Sequence, residues 1–168
     1  MIQALKIALI ALTIAFLQAF ILQQVDMGFW LHPMPYLMLF FIIPLNFDRF
    51  SYLILGFVFG TFIDLLSGSF GTHAASCVAM VFFKHYIERR FVDFESLQLQ
   101  GESYLSLHSR GWVTFFYYAI SLIGIHHLVF FSLDFFSLSH LGDILLSTLV
   151  SSIGTFLLVL LYKNVFNK

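Results

Sequence analysis

The chain has 168 residues, of which 60% are hydrophobic and only 10% charged, with a formal net charge of −1 and a mean hydropathy of +0.94. Soluble domains carry about 25% charged residues, and a water-exposed fold of this size has no means of covering 23 phenylalanines, so the composition points to a membrane protein. The near-neutral balance gives no basic footprint for a nucleic acid, and Cys77, the only cysteine, excludes an internal disulfide.

Continuous apolar runs rule against a β-barrel, whose strands alternate. The expectation is an all-α membrane protein with six transmembrane helices in one integral membrane domain, residues 1–168. A transmembrane helix needs about 20 mostly apolar residues. The first span is read at 5–24; it carries one lysine, Lys6, and no small-x-small site follows it, so it is expected to stay uncleaved. Gln18 lies deep enough in it to bond another helix, and Gln24 sits at the interface.

The second span, 34–45, is short and bounded by Pro35 and Pro44. The third is 50–66; after the tight turn "SGSFG" comes the fourth, 72–86. The long loop 87–111 contains "FVDFESLQL", in which Phe91, Phe94 and Leu97 recur every three residues. That pattern suits either a short helix lying on the inner surface or a solvated loop. The fifth span is 112–133, with Trp112 as an interfacial anchor, and the sixth is 141–162. With six spans, Lys6, Arg49, Lys84, Arg89, Arg90, Arg110, Lys163 and Lys168 all fall on one side, which the positive-inside rule makes cytoplasmic together with both termini. Without the short second span, these residues scatter over both sides.

Asp64 is the anomaly, an acid in the run "GFVFGTFIDLLSGSFGTH". A charge at the centre of a membrane helix costs roughly 2.5–3.5 kcal/mol on insertion scales. Gly56, Gly60 and Asp64 are spaced four apart and share one helix face. A Gly-x-x-x-Gly face lets another helix approach closely, whether a helix of this chain, the span of a partner or a second copy in a homodimer. Counting about 1.5 Å per residue from the cytoplasmic end, Asp64 lies about 21 Å along the third span, and His126 and His127 about 21–23 Å along the fifth. The expectations are therefore a polar pair between Asp64 and His126 or His127 or, more simply, an Asp64 that caps or snorkels while the histidines reach interfacial water.

Asp64, His73, His126, His127 and His140 all fall toward the outer side, but no His-x-x-x-His pair, nucleophile elbow, phosphate loop or cysteine pair accompanies them. The expectation is no metal, no cofactor and no enzymatic activity. Ser147, Ser151 and Thr155 in the sixth span, and Ala74 to Cys77 in the fourth, read as close-packing faces.

The stretch "PYLMLFFIIPLNFDRFSYLILGFVFGTFIDLLSGSFGTHAAS", residues 35–76, resembles the rod-shape-determining protein MreD family. A proline-bounded short span precedes a Gly-x-x-x-Gly-x-x-x-Asp helix and a Ser/Gly turn, here Gly56, Gly60, Asp64, Ser67, Gly68 and Gly71. His126 and His127 lie outside the resemblance. It implies a non-enzymatic scaffold of the bacterial cell-elongation machinery in the cytoplasmic membrane. Such a scaffold binds MreC and is linked through it to MreB, RodA and a class B penicillin-binding transpeptidase, and it helps direct side-wall peptidoglycan synthesis and rod shape. It also implies a fold similar to the six-helix substrate-binding subunits of energy-coupling-factor transporters. That similarity supplies the alternative, a vitamin or small-molecule transporter subunit whose outer pocket is lined by Asp64, His73 and His126. Membrane lipid is a partner on either reading.

Overall fold

The computed structural model describes residues 2–25, 28–42, 48–91 and 107–166. Among these the fold is all-helical, with no strand. The first helix, α1 (Ile2–Leu17), continues through one wide turn at Gln18–Leu22, where Gln23 N–H reaches back five residues to the Gln18 carbonyl. A short second element follows, a 3-10 turn at Pro35–Met38 and one α turn, α2 (Leu39–Ile42). Four longer helices complete the described chain: α3 (Arg49–Ser67), α4 (Thr72–Phe91), α5 (Leu107–Phe135) and α6 (Leu141–Phe166). Among the described residues three helical stretches are long and apolar enough to cross a membrane: Arg49–Ser67, Trp112–Phe135 and Leu141–Tyr162.

Local chemistry sets the helix ends. Asp48 caps α3, its carboxylate accepting from the backbone N–H groups of Phe50 and Ser51. At the other end Gly68 turns the chain in the left-handed region, φ 69°, and Ser69 N–H returns to the Asp64 carbonyl. Gly71, φ 87°, makes the second bend into α4. The expected "SGSFG" turn is thus present, and it is glycine that makes both of its bends possible.

The helices stack in sequence, α3 on α4, α4 on α5 and α5 on α6, with α1 against the short second element and α3. That short element occupies the centre of the bundle. Tyr36 and Leu37 are fully buried, and Met34, Met38, Leu39, Phe40 and Phe41 nearly so.

Several sequence boundaries need correction. The described part of the 34–45 span, one 3-10 turn and one α turn, rises only about 14 Å; a bilayer core measures about 30 Å. This part is a plug buried in the core of the bundle, and its continuation to 45, Pro44 included, falls outside the described residues. The fourth helix runs past the expected end at 86 to Phe91; the fifth is helical from Leu107, and its apolar membrane-length stretch starts at Trp112, as expected. The loop 87–111 is shortened at both ends, and the surface helix expected around Phe94 and Leu97 lies outside the described residues. Lys84, counted among the inner-side cations, is buried inside α4 and paired with Glu88 one turn on. It therefore carries no weight in a positive-inside argument.

Candidate functional site

The glycine face of α3 is filled by α4. A β-carbon on Gly60 would stand 2.5 Å from Ala74 Cα and 2.8 Å from both Ala74 N and His73 O. One on Gly56 would meet Val81 Cγ2 at 3.2 Å. Of the three occupants open to this face, a helix of the chain itself takes it, in place of a partner span or a second copy.

Asp64 completes the same contact. Its carboxylate accepts from Ser69 Oγ at 2.5 Å, from His73 N at 3.0 Å and from Ala74 N at 2.9 Å. The last two are orphan donors in the first turn of α4, so Asp64 caps the following helix from the end of the preceding one. A carboxylate at a helix N-terminus also meets the positive end of the helix dipole. Ser67, placed by sequence in the same signature, is half-buried and its hydroxyl makes no hydrogen bond among the described residues.

The polar pair expected between Asp64 and His126 or His127 is replaced by a different arrangement. Tyr36, from the central plug, places its hydroxyl 2.8 Å from His73 Nδ1 on α4 and 2.8 Å from His126 Nε2 on α5. Cys77 Sγ lies 3.8 Å from the same His126 nitrogen. Asp64 reaches this cluster only through the backbone of His73. Tyr36, Cys77 and His126 have no exposed surface and His73 is 2% exposed. The expected contact with interfacial water is therefore absent for these imidazoles.

The proton inventory is constrained. A phenol has one proton to donate; the Met34 Sδ at 3.6 Å is a weak acceptor for it, and when Tyr36 instead donates to one imidazole it accepts from the other, so that the two rings take opposite tautomers at these nitrogens. Neither His73 Nε2 nor His126 Nδ1 has a hydrogen-bond partner among the described residues. In either direction of the Tyr36 proton, one of these two atoms is an unpaired donor and the other an unpaired acceptor.

His127 belongs to a separate latch. Its Nδ1 donates to the Ile123 carbonyl at 2.9 Å, which leaves Nε2 to accept from Thr155 Oγ1 at 3.3 Å. Thr155 in turn accepts from Met34 N at 2.9 Å. Four residues earlier on α6, Ser151 donates to the Trp30 carbonyl and accepts from His32 N, both at 2.9 Å. Gly154 brings Leu31 Cδ1 within 3.0 Å of where its β-carbon would be. The small-residue face of the sixth span, read as packing, is the seam that holds the 30–34 segment and so aims Tyr36.

A second buried polar cluster lies toward the other end of α4. Glu88 binds Lys84 and accepts from Tyr118 Oη at 3.2 Å, while Lys84 Nζ stands over the Tyr52 ring, 4.3 Å from its centroid. Sequence reading missed this cluster, although a Lys and a Glu spaced four apart in a helix was a readable signal. It missed Tyr36 as well, a lone tyrosine in an apolar run with no local signal at all.

Among the described residues no group of three or more His, Cys, Asp or Glu side chains is arranged to hold a metal ion. Comparison with known proteins finds no matching family model, no significantly matching curated protein and no significantly matching solved structure.

Proposed function

We propose that the chain is a non-enzymatic membrane scaffold of the bacterial cell-elongation machinery, with six spans and both termini in the cytoplasm. On this reading it binds a single-span partner of the MreC kind and helps direct side-wall peptidoglycan synthesis. The observation that carries the reading is how the residues of the resemblance are used. Gly56, Gly60, Asp64, Gly68 and Gly71 act as one device that closes the α3–α4 hairpin. The stretch that resembles the MreD family is thereby a coherent structural unit rather than a scatter of frequent residues.

Physical arguments support the six spans. The two buried charges of α4, Lys84 and Glu88, pair inside the bundle, which lowers the cost of placing the body of that helix in lipid. Outward-facing side chains are apolar, including Phe57, Val58 and Leu65 on α3 and Leu145, Leu149, Ile153, Leu157 and Leu161 on α6. With the glycine face occupied internally, a partner helix is assigned to these outer faces. The chemistry-bearing residues, Cys77 and His126 among them, are fully buried, which favours a scaffold over an enzyme.

One observation favours a second reading, the transporter subunit. The Tyr36, His73 and His126 cluster holds two imidazole nitrogens with no hydrogen-bond partner among the described residues, which is where a polar small molecule would be recognised.

Affinity purification of the tagged chain from its native cells in mild detergent, with mass spectrometry of what accompanies it, separates the two. Recovery of a single-span coiled-coil protein with cell-wall synthases is the expected result. Recovery of paired ATPases and a coupling membrane subunit would replace the scaffold with the transporter.

A further inference from the structure

We propose that the end of the α3–α4 hairpin where α3 begins and α4 ends is a binding site for the headgroup of an anionic phospholipid, with Arg49 at its centre. The proposal rests on the membrane placement argued above and goes beyond it in naming a specific lipid chemistry.

The guanidinium of Arg49 lies 5.0 Å from the centroid of the Phe82 ring and 5.5 Å from that of Tyr86. Stacking against two rings fixes the planar group, and its N–H edge, without a partner among the described residues, suits a phosphate, which arginine binds through two parallel hydrogen bonds. Arg89 and Arg90 follow Tyr86 by three and four residues, one turn further along the same side of α4. All three arginines are exposed.

Among the described residues the ion pairs are Lys84 with Glu88 and His140 with Asp143, and none involves these arginines. The neighbouring acids among the described residues are engaged elsewhere. Asp48 caps α3, at 3.1 Å from both Phe50 N and Ser51 N, and Glu88 is buried against Lys84 and Tyr118.

Helix dipoles account for part of this pattern only. Arg89 and Arg90 in the last turn of α4 complement its negative end. Arg49 is the first residue of α3, at the positive end, where a cation is disfavoured. An anion held between the start of α3 and the end of α4 removes that conflict.

The surroundings choose the occupant. Phe50 is 69% exposed, Tyr86 53%, Phe83 46% and Phe82 40%. A free soluble anion would use the arginines and leave this apolar skirt in water. A phospholipid places its phosphate on the arginines and its acyl chains along the aromatic side chains, so charge and apolar surface are satisfied by one molecule.

The test uses the full chain, extracted in mild detergent and offered phosphatidylglycerol or phosphatidylethanolamine, with native mass spectrometry of the lipid retained. The expected result is retention of phosphatidylglycerol over phosphatidylethanolamine, with that preference falling about fivefold in Arg49→Gln, the effect of one basic side chain at an anionic surface. The Arg89→Gln/Arg90→Gln double variant should lose more. Arg49→Lys keeps the charge and loses the stacked fork, so its preference should fall part of the way; it serves as the deciding variant should Arg49→Gln fail to fold. Equal retention of the two lipids, an unchanged preference in Arg49→Lys, or displacement of the lipid by inorganic phosphate would overturn the proposal. Recovery of the chain from cells without detergent would instead overturn the membrane placement beneath it.

Discussion

Gly60 and Ala74 bring two helix backbones together so closely that a β-carbon on the glycine would lie 2.5 Å from the alanine Cα. Both neighbouring atoms at 2.8 Å, Ala74 N and His73 O, are also backbone, so no side chain can rotate away to make room. Gly60→Ala should therefore destabilise the fold by about 1–3 kcal/mol or more, the usual cost of forcing extra volume into a packed interior. Gly56→Ala should cost less, because its first contact is Val81 Cγ2 at 3.2 Å, a side chain with some freedom. Gly124→Ala meets nothing within 4 Å and should be neutral or stabilising. Thermal melting of the three variants in one detergent gives the ranking, and a Gly60→Ala protein that melts with the wild type would remove the close approach from the account.

Asp64 presents three acceptor interactions, with Ser69 Oγ and His73 N sharing one carboxylate oxygen and Ala74 N taking the other. Asparagine can reproduce only one side of that fork, since its NH2 group turned toward Ala74 N sets donor against donor. Asp64→Asn should therefore be intermediate, with a loss of about 1 kcal/mol in the range of a removed helix cap. Asp64→Leu should lose more, because two first-turn N–H groups of α4 are then buried unpaired at about 1–3 kcal/mol each. Melting temperatures ordered wild type, Asn, Leu are expected; Leu equal to wild type would assign the carboxylate to solvent.

Tyr36→Phe tests the central cluster. It deletes one oxygen and leaves His73 Nδ1 and His126 Nε2 both without the 2.8 Å contact each now makes. The expected loss is about 1–3 kcal/mol for each imidazole atom left unpaired. Because the two histidines communicate through the phenol, the substitutions Tyr36→Phe and His126→Leu should be strongly non-additive, with the second change costing less once the first is in place. A double-mutant cycle in detergent measures the coupling, and additive effects would mean that the three side chains act independently.

What the sequence made legible followed from periodicity and turn chemistry. The Gly56, Gly60 and Asp64 face needed only a spacing of four, and the turn at Gly68 and Gly71 needed only residues that accept a positive φ. Asp64 as a cap was readable as the plainer of two options, while its pairing with His126 or His127 rested on equal depth in two helices. Depth fixes a height but not an azimuth, and the imidazoles turned out to face Tyr36 and Thr155. Tyr36 was illegible for a related reason. Its role comes from a central plug whose position is set by Thr155 and Ser151, more than a hundred residues away in the chain. The continuation of the fourth helix beyond 86 was not read, although Glu88 is buried and paired within it.

The Lys84–Glu88 pair supports a sharper test of burial. Lys84 is 2% exposed and Glu88 5%, and the side chains of Tyr52 and Tyr118 lie beside them. Removing one partner strands the other charge in the interior, so Lys84→Met or Glu88→Leu alone should destabilise by about 3–5 kcal/mol. Replacing both at once removes the desolvation cost together with the attraction, so Lys84→Met/Glu88→Leu should melt close to the wild type, apart from the single hydrogen bond that Tyr118 loses. A surface ion pair behaves differently, since each single variant then changes stability by about 1 kcal/mol or less. Single variants as stable as the wild type would place the pair in water and return Lys84 to the exposed cations, whereas rescue by the double variant fixes it inside the bundle.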